Sequence, residues 1–397
     1  MRILKTLAAA ALLLIVTLML APSAGAQGHY KVLHKFAGRA DGSGPSSLVI
    51  DVAGNLYGTT SSAGIHGYGT VFKIDNAGKF TVLHSFSGGP DGANCSAYGT
   101  LTLDAIGNVY GVTTAGGAYG EGTVFQVDAT GVERVLYSFS GGADGGVPHG
   151  GVIFDQAGNL YGTTTRGGNG LGVLFKLTPN LDGTWSEIVL HAFPAYSGDA
   201  AEPYAGLSWD SAGNLYGATW QGGANSQGAI FKFDTNGEES VFHSLTGTDG
   251  AHAYRPPIFD GAGNLYDTTA FGGDYACPSP LGGCGTAVKL DVDGNVTMLH
   301  AFHGAKDGSF PVGGVSFDQA GNLYGTAQLG GAYGYGTVYM LTINQNASVK
   351  WKVLHAFADR PGSQPITTIV FDAKGNLYGT ADGYALDGFG SVFEITP

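Results

Sequence analysis

The sequence predicts an all-β protein, a seven-bladed β-propeller with four antiparallel strands per blade and an N-terminal strand that closes the last blade. Three observations carry this expectation. The string Gly-Asn-Leu-Tyr-Gly, or a near variant, recurs with its Asn at Asn55, Asn108, Asn159, Asn214, Asn264, Asn322 and Asn376. The gaps of 53, 51, 55, 50, 58 and 54 residues suit a unit of several strands, and the 3.6-residue period of helical solenoids is absent. Finally, the chain begins with a lone strand and ends in a unit that lacks one.

The first 26 residues read as a signal peptide. Arg2 and Lys5 give a positive start, Leu7 to Leu20 is apolar almost throughout, and Ala24-Gly25-Ala26 supplies the small-x-small pattern before Gln27. The apolar run is short for a membrane span. The expected organisation is a signal peptide over 1–26 and one propeller over 27–397, secreted or periplasmic, with no membrane attachment after cleavage.

One unit runs from Leu48 to Phe86. Its first strand, Leu48 to Asp51, turns through Val52-Ala53-Gly54 into a second, Asn55 to Thr60. A Gly-rich loop leads to a third strand, Thr70 to Asp75, and a short Asn76-Ala77-Gly78 turn delivers the fourth, Phe80 to Phe86. The turns carry the Asp, Asn and Gly that hairpins need. Apolar residues on both strand faces (Val71 and Phe72, Val82 and Leu83) suit a blade sandwiched between two others.

The ends set the blade count. Tyr30 to Phe36 is a fourth strand without a blade, while Ile366 to Asp372, Asn376 to Ala381 and Ser391 to Ile395 are three strands without a fourth. Together they complete one blade and remove the exposed sheet edges of an open array.

Composition excludes several classes. Only 12% of residues are charged and 69 are Gly, yet aromatics reach 11%, which separates a packed, turn-rich protein from a disordered Gly-rich one. The net charge of −13 arises mainly from turns. Seven Asp end first strands (Asp51, Asp104, Asp155, Asp210, Asp260, Asp318, Asp372), seven lie between blades (Asp41, Asp91, Asp144, Asp199, Asp249, Asp307, Asp359), and Asp75, Asp128, Asp234 and Asp291 end third strands. Calcium at the inter-blade Asp is conceivable from oxygen chemistry alone, without convergent ligands in one loop. Asp291-Val292-Asp293-Gly294-Asn295 starts like a calcium loop but lacks the remaining ligands, so it reads as a hairpin turn. No basic nucleic-acid footprint is present.

The fourth strands carry His34, His84, His191, His243, His300 and His355, with Tyr137 in the remaining unit. Six His on six different blades cannot converge on one ion. They are expected to bridge backbone groups near the blade edges, and no metal or other cofactor is expected. The repeated Tyr57, Tyr110, Tyr161, Tyr216, Tyr266, Tyr324 and Tyr378 are structural by the same logic. Cys277 and Cys284 lie in one loop and are expected to pair after export, leaving Cys95 as a buried or free thiol.

These repeats resemble the GloVer tandem repeat of choice-of-anchor bacterial surface proteins, over nearly the whole chain after residue 26. The resemblance rests on the Gly-Asn-Leu-Tyr-Gly core, the Gly-Gly-x-x-Gly-x-Gly-Thr-Val-Phe stretch of Gly116 to Phe125, and Leu-His-Ser-Phe with Gly-Gly-x-Asp-Gly at Leu83 to Gly92. It implies export, and it implies no common activity.

Function is sought in what does not repeat. The loop from second to third strand and the loop between blades emerge on one face by strand alternation. There the chain varies, with Arg166, Trp220, Gln221, Phe271 and Gln328 after second strands, Tyr119 and Tyr333 further along, and His149, His252, Tyr254 and Arg255 between blades. Asp267 replaces the Gly found at Gly58, Gly111, Gly162, Gly217, Gly325 and Gly379, and is expected to face the channel mouth. Arg166, Trp220, Gln221, Phe271, Gln328 and Asp267 are the candidate ligand-binding residues. Aromatic, Arg and amide side chains on one concave face suit an extracellular carbohydrate, peptide or partner protein, bound by a monomeric, non-catalytic scaffold. The alternative is a propeller hydrolase or lyase on the same face, for which Glu121 and Glu202 are the nearest Glu. No nucleophile elbow or close carboxylate pair supports it, and no catalytic residue is assigned.

Overall fold

The computed structural model describes residues 29–168, 170–194, 198–273, 277, 282–358, 362–383 and 388–396. The expected signal peptide, Pro278, Pro280 and Asp359 lie outside the described residues. Every regular element among them is a strand.

Blade 1 joins Ser43–Ile50, Leu56–Ser62, Thr70–Ile74 and Phe80–Ser85 in that order. The plan repeats through seven blades around an axis lined by the first strands, which are split in blades 2, 4 and 5. Blade 7 contains Val370–Phe371, Leu377–Ala381 and Ser391–Thr396, and His29–Lys35 pairs with its outer edge. Tyr30 lies opposite Ile395 and Lys35 opposite Ser391.

The repeated turn residues form a clasp. Asp51 Oδ1 accepts the Ala53 and Asn55 amides at 2.9 and 2.8 Å, while Oδ2 accepts Asn55 Nδ2 at 2.7 Å and the Tyr57 hydroxyl at 3.3 Å. Asp104 and Asp372 make the same set of bonds. The first hairpin is thereby tied to the second strand, and the carboxylates are used internally.

The repeated Gly after each Tyr has a packing reason. A Cβ on Gly58 would stand 2.3 Å from the Phe72 ring, and one on Gly379 would stand 2.5 Å from Phe393. The smallest residue makes room for the aromatic ring of the neighbouring third strand, which is fully buried.

Neighbouring blades meet through the fourth strands. His34 Nε2 lies 3.3 Å from Asp41, and His84, His243 and His300 lie 3.2, 3.0 and 3.0 Å from their inter-blade Asp. These partners are carboxylates, which corrects the expectation of backbone bridging. The next blade then covers the imidazole. Phe80 stacks on His34 with ring centroids 3.6 Å apart, and Trp351 stacks on His300 at 5.2 Å. The closing strand uses this device twice, since Tyr30 stacks on His355 of blade 6 at 4.0 Å while His34 lies under Phe80 of blade 1.

Deleting residues 27–36 should therefore lower the midpoint of equilibrium denaturation of the whole protein, because blade 7 loses its outer strand and both neighbours lose a stacked ring. An unchanged midpoint would rule out closure by this strand.

Glu133 and Glu187 hold the position of Phe80 at the next two junctions. Burial, then the nearby charge of Asp91 or Asp144, raises each carboxyl to about 7. Between the ordinary Glu value, roughly 4.3, and 7, the folded state keeps a proton that the unfolded chain has lost. The resulting stability is fully present below the unfolded value and disappears as pH rises through 7. Relative to a Glu133→Gln, Glu187→Gln double variant, the wild type should lose stability between pH 5.5 and 8; the buried His groups, whose values burial lowers, are common to both and cancel. Denaturation midpoints that differ by the same amount at every pH would refute this assignment.

Candidate functional site

The first strands present their unpaired inner edges to the axis, where backbone carbonyls need donors. Five residues before each first-strand Asp the other blades place Ser46, Gly99, Gly150, Ala205, Gly313 and Thr367, whereas blade 5 places Arg255. The side chain crosses the axis and is 2% exposed. Its Nε donates to Val312 O of blade 6 at 3.1 Å, and Nη1 donates to Tyr98 O and Gly99 O of blade 2 at 2.9 and 2.8 Å. Nη2 reaches Ile366 O of blade 7. Six small residues leave the bore that one guanidinium fills, and its planar fork matches carbonyls on three other blades. Burial brings Arg255 down to about 10, so the plug is a cation at neutral pH. This corrects the reading of Arg255 as a loop residue offered to a ligand. A cavity of about 210 Å³ lies beside the guanidinium, lined by Ser47, Thr100, Gly314 and Thr368 among others.

On the loop face above the plug, aromatic side chains from several blades meet. Tyr98 of blade 2 packs on Tyr254 of blade 5 at 4.5 Å between ring centroids, and His149 of blade 3 stacks on Tyr204 of blade 4 at 4.5 Å. Trp220 is the hub. It stacks on His252 at 4.1 Å and meets Tyr254 at 5.1 Å, Tyr204 at 6.0 Å and Phe271 at 6.1 Å. Phe271 continues to Phe310 of blade 6 at 4.4 Å. Offset and edge-on arrangements of this kind suit aromatic quadrupoles. Trp220, Tyr98, Tyr204, Tyr254 and Phe310 remain partly open to solvent, whereas Phe271 is buried beneath them.

The cluster is mounted on a ring of left-handed backbone. Gly44, Asn94, Val147, Glu202, His252, Phe310 and Gln364 occupy one equivalent position per blade, all with φ between 52 and 64°. Each amide donates to a carbonyl in the preceding blade's loop between second and third strands, as Glu202 to Leu171 O at 3.0 Å, His252 to Gln227 O at 2.8 Å and Phe310 to Cys284 O at 3.0 Å. The left-handed turn aims each amide at its neighbour, latching the blades. It is costly for residues with a Cβ, on the order of 1–3 kcal/mol each, and most unusual for Val and Phe. Only blade 1 uses Gly.

The candidate residues from the sequence are brought together unevenly. Trp220 and Phe271 share the cluster. Gln221 Nε2 donates to Glu202 at 3.2 Å, and Gln328 Nε2 to Gln364 at 3.5 Å, forming a polar rim. Arg166 is exposed at the edge; burial lowers His149 to about 4, and the Arg166 charge pushes in the same direction. Arg166, Gln221 and Phe271 are equivalent in register, while Trp220 lies one residue earlier, so these side chains do not all leave from one loop position.

Asp267 does not face the channel mouth. It is 2% exposed inside blade 5 and opposite Val288. The other six blades pair a Gly with an aromatic residue here; blade 5 exchanges both, and the carboxyl takes the space that a ring fills elsewhere. Its Oδ1 accepts the Thr268 amide at 2.7 Å, and Oδ2 has no hydrogen-bond partner among the described residues. Burial holds Asp267 well above the carboxylate range. Tyr339, which stands where the other blades keep a Phe or Val288, feels that carboxyl and likewise has no partner for its hydroxyl. Cys277 and Cys284 are joined in a disulfide, and Cys95 is buried as a free thiol.

Sequence reasoning missed Tyr98, Tyr204 and Phe310, and it missed the left-handed ring. The available signal was positional, since most ring residues directly precede a Pro (Pro45, Pro148, Pro203, Pro311, Pro365). The chemistry within reach is that of stacking plates with an amide and carboxylate rim. A Ser96 Oγ to His149 Nδ1 contact of 3.3 Å also lies here, but Ser96 is buried and its Oγ accepts the Tyr98 amide at 3.2 Å.

The profile of the Gloeobacter/Verrucomicrobia repeat matches residues 20–207, 169–278 and 256–397. The chain belongs to this repeat family. No curated protein matches its sequence. Among solved structures, this repeat-family chain is similar to the extracellular domain of a protein assigned as a one-component system from B. thetaiotaomicron. The TM-score is 0.56 at 10% identity, covering 92% of the chain and 40% of that protein's chain. It is also similar to a Bacteroides uniformis ATCC 8492 protein assigned as a 6-phosphogluconolactonase, with a TM-score of 0.50 at 15% identity and coverage of 79% and 84%. At such identities the likeness concerns the propeller fold alone.

Arg255→Ala should destabilise the protein by about 3 kcal/mol, because it strands buried carbonyls on three blades and opens the axis. Arg255→Lys should recover only part, since one ammonium cannot span those carbonyls. Chemical denaturation measures both, and an Arg255→Ala protein as stable as wild type would contradict the plug.

Proposed function

We propose that this chain is an exported, non-catalytic binding protein whose ligand rests on the aromatic face above Arg255, and that the ligand is an extracellular carbohydrate. The observation that carries this reading is the left-handed ring. Gly would relieve the backbone at all seven positions, yet six hold Asn, Val, Glu, His, Phe and Gln. Strain kept in side chains that do not repeat is strain kept for what those side chains do. Rings such as Trp220, Tyr204 and Tyr254 offer flat apolar plates to the C–H faces of a sugar, while Glu202, Gln221, Gln328 and Gln364 offer partners to its hydroxyls. Export is supported by the N-terminal pattern over 1–26, by the Cys277–Cys284 disulfide and by the extracellular placement of the B. thetaiotaomicron propeller.

A glycan array probed with protein lacking residues 1–26 should yield a ligand, and Trp220→Ala should then weaken binding more than about tenfold, as loss of an aromatic anchor does. A competing location exists on the opposite face, where a cleft of about 890 Å³ between blades 7 and 1 is lined by Lys31, Asn76, Lys374 and Glu394. Normal binding by Trp220→Ala, with loss on substituting Asn76 or Lys374, would move the site to that cleft and end the present reading.

A further inference from the structure

The repeated pairing of fourth-strand His with inter-blade Asp is made from the fourth strands of blades 7, 1, 4 and 5, at 3.0 to 3.3 Å. At the junction of blades 3 and 4 it is not made. His191 Nε2 is buried without a hydrogen-bond partner among the described residues, and Asp199 Oδ1 accepts the Ala200 amide at 2.7 Å. A third group enters from the fourth strand of blade 4. Glu239 has a side chain only 6% exposed, with Oε2 3.8 Å from His191 Nε2 and Oε1 unpartnered. One donor atom from each of His191, Asp199 and Glu239 lies within 4.8 Å of the other two.

Two adjoining carboxyl groups with an imidazole left unbonded beside them, all partly buried, are an expensive arrangement for a blade junction. They are also a donor set for a cation. We propose that His191, Asp199 and Glu239 bind a first-row divalent ion, Zn²⁺ or Mn²⁺, that clamps blade 3 to blade 4. The imidazole disfavours Ca²⁺ and Mg²⁺, which take oxygen ligands. Ligands about 2.1 Å from a tetrahedral ion lie roughly 3.4 Å apart, close to the His191–Glu239 separation. Three protein donors leave a further position for water. The neighbouring junctions act as internal controls. Glu187 meets Asp144 beside Tyr137 rather than a His, and Glu133 feels Asp91, whose bond to His84 is made. A different trio, His300, His303 and Asp307, is closed by direct contacts of 3.0 and 3.1 Å.

The test is titration of the chelator-stripped chain lacking residues 1–26 with Zn²⁺ and with Mn²⁺ alone, read by calorimetry and by thermal midpoint. One equivalent should bind and raise the midpoint. Glu239→Gln and His191→Gln should each weaken binding at least tenfold and remove the rise, while remaining folded in chelator. Glu187→Gln and His303→Ala should bind like wild type. Absence of saturable binding by wild type would overturn the proposal, as would undiminished binding by a folded Glu239→Gln or His191→Gln protein, or loss of binding in His303→Ala.

Discussion

Seven wedge-shaped sheets meet around one axis, and each is stable only while both of its faces are covered. Closure by His29–Lys35 is the contact that makes this possible. Without a fourth strand on blade 7, the edge beyond Ser391–Thr396 would be open and His355 would lose the ring of Tyr30. The closing strand pairs along blade 7 and stacks against blades 6 and 1, so it joins three blades by two kinds of force. Backbone pairing supplies direction. Aromatic stacking on half-buried His supplies the lateral contact that a strand alone cannot provide.

Closure creates a second constraint at the axis. Inner strands drawn together must be small-sided, and their inward carbonyls must still find donors. Arg255 answers both demands with one side chain, at the cost of burying a cation whose described partners are neutral carbonyls. The guanidinium also separates the two ends of the bore. The loop face above it carries the aromatic contacts of Tyr98, Trp220, Tyr254, Phe271 and Phe310.

The third constraint acts between neighbours on that face. Each blade is latched to the one before it by an amide that can reach only from a left-handed residue. That requirement is identical seven times over, while the side chains that meet it differ. Scaffold and candidate site thus share Glu202, His252, Phe310 and Gln364, positions at which a residue with a Cβ is energetically costly.

The blade count, strand order and closure were legible in the sequence because they depend on local chemistry. Asp-x-x-Gly-Asn turns and alternating apolar runs act within one unit, and arithmetic on the ends does the rest. Trp220 and Phe271 were legible as departures from the repeat, though not as neighbours of Tyr98 or Phe310. What only the tertiary structure decided were the meetings across blades. Arg255 looked like a loop residue because nothing nearby in sequence shows that carbonyls of Val312, Ile366, Tyr98 and Gly99 converge on it. Asp267 looked exposed because the exchange of a ring for Val288 lies on the next strand, 21 residues on. The meeting of Glu239 with His191 and Asp199 is of the same kind, since His191 lies on the preceding blade and Asp199 in the loop between the two. A repeat sequence encodes the unit, whereas packing between units decides which side chains share a space.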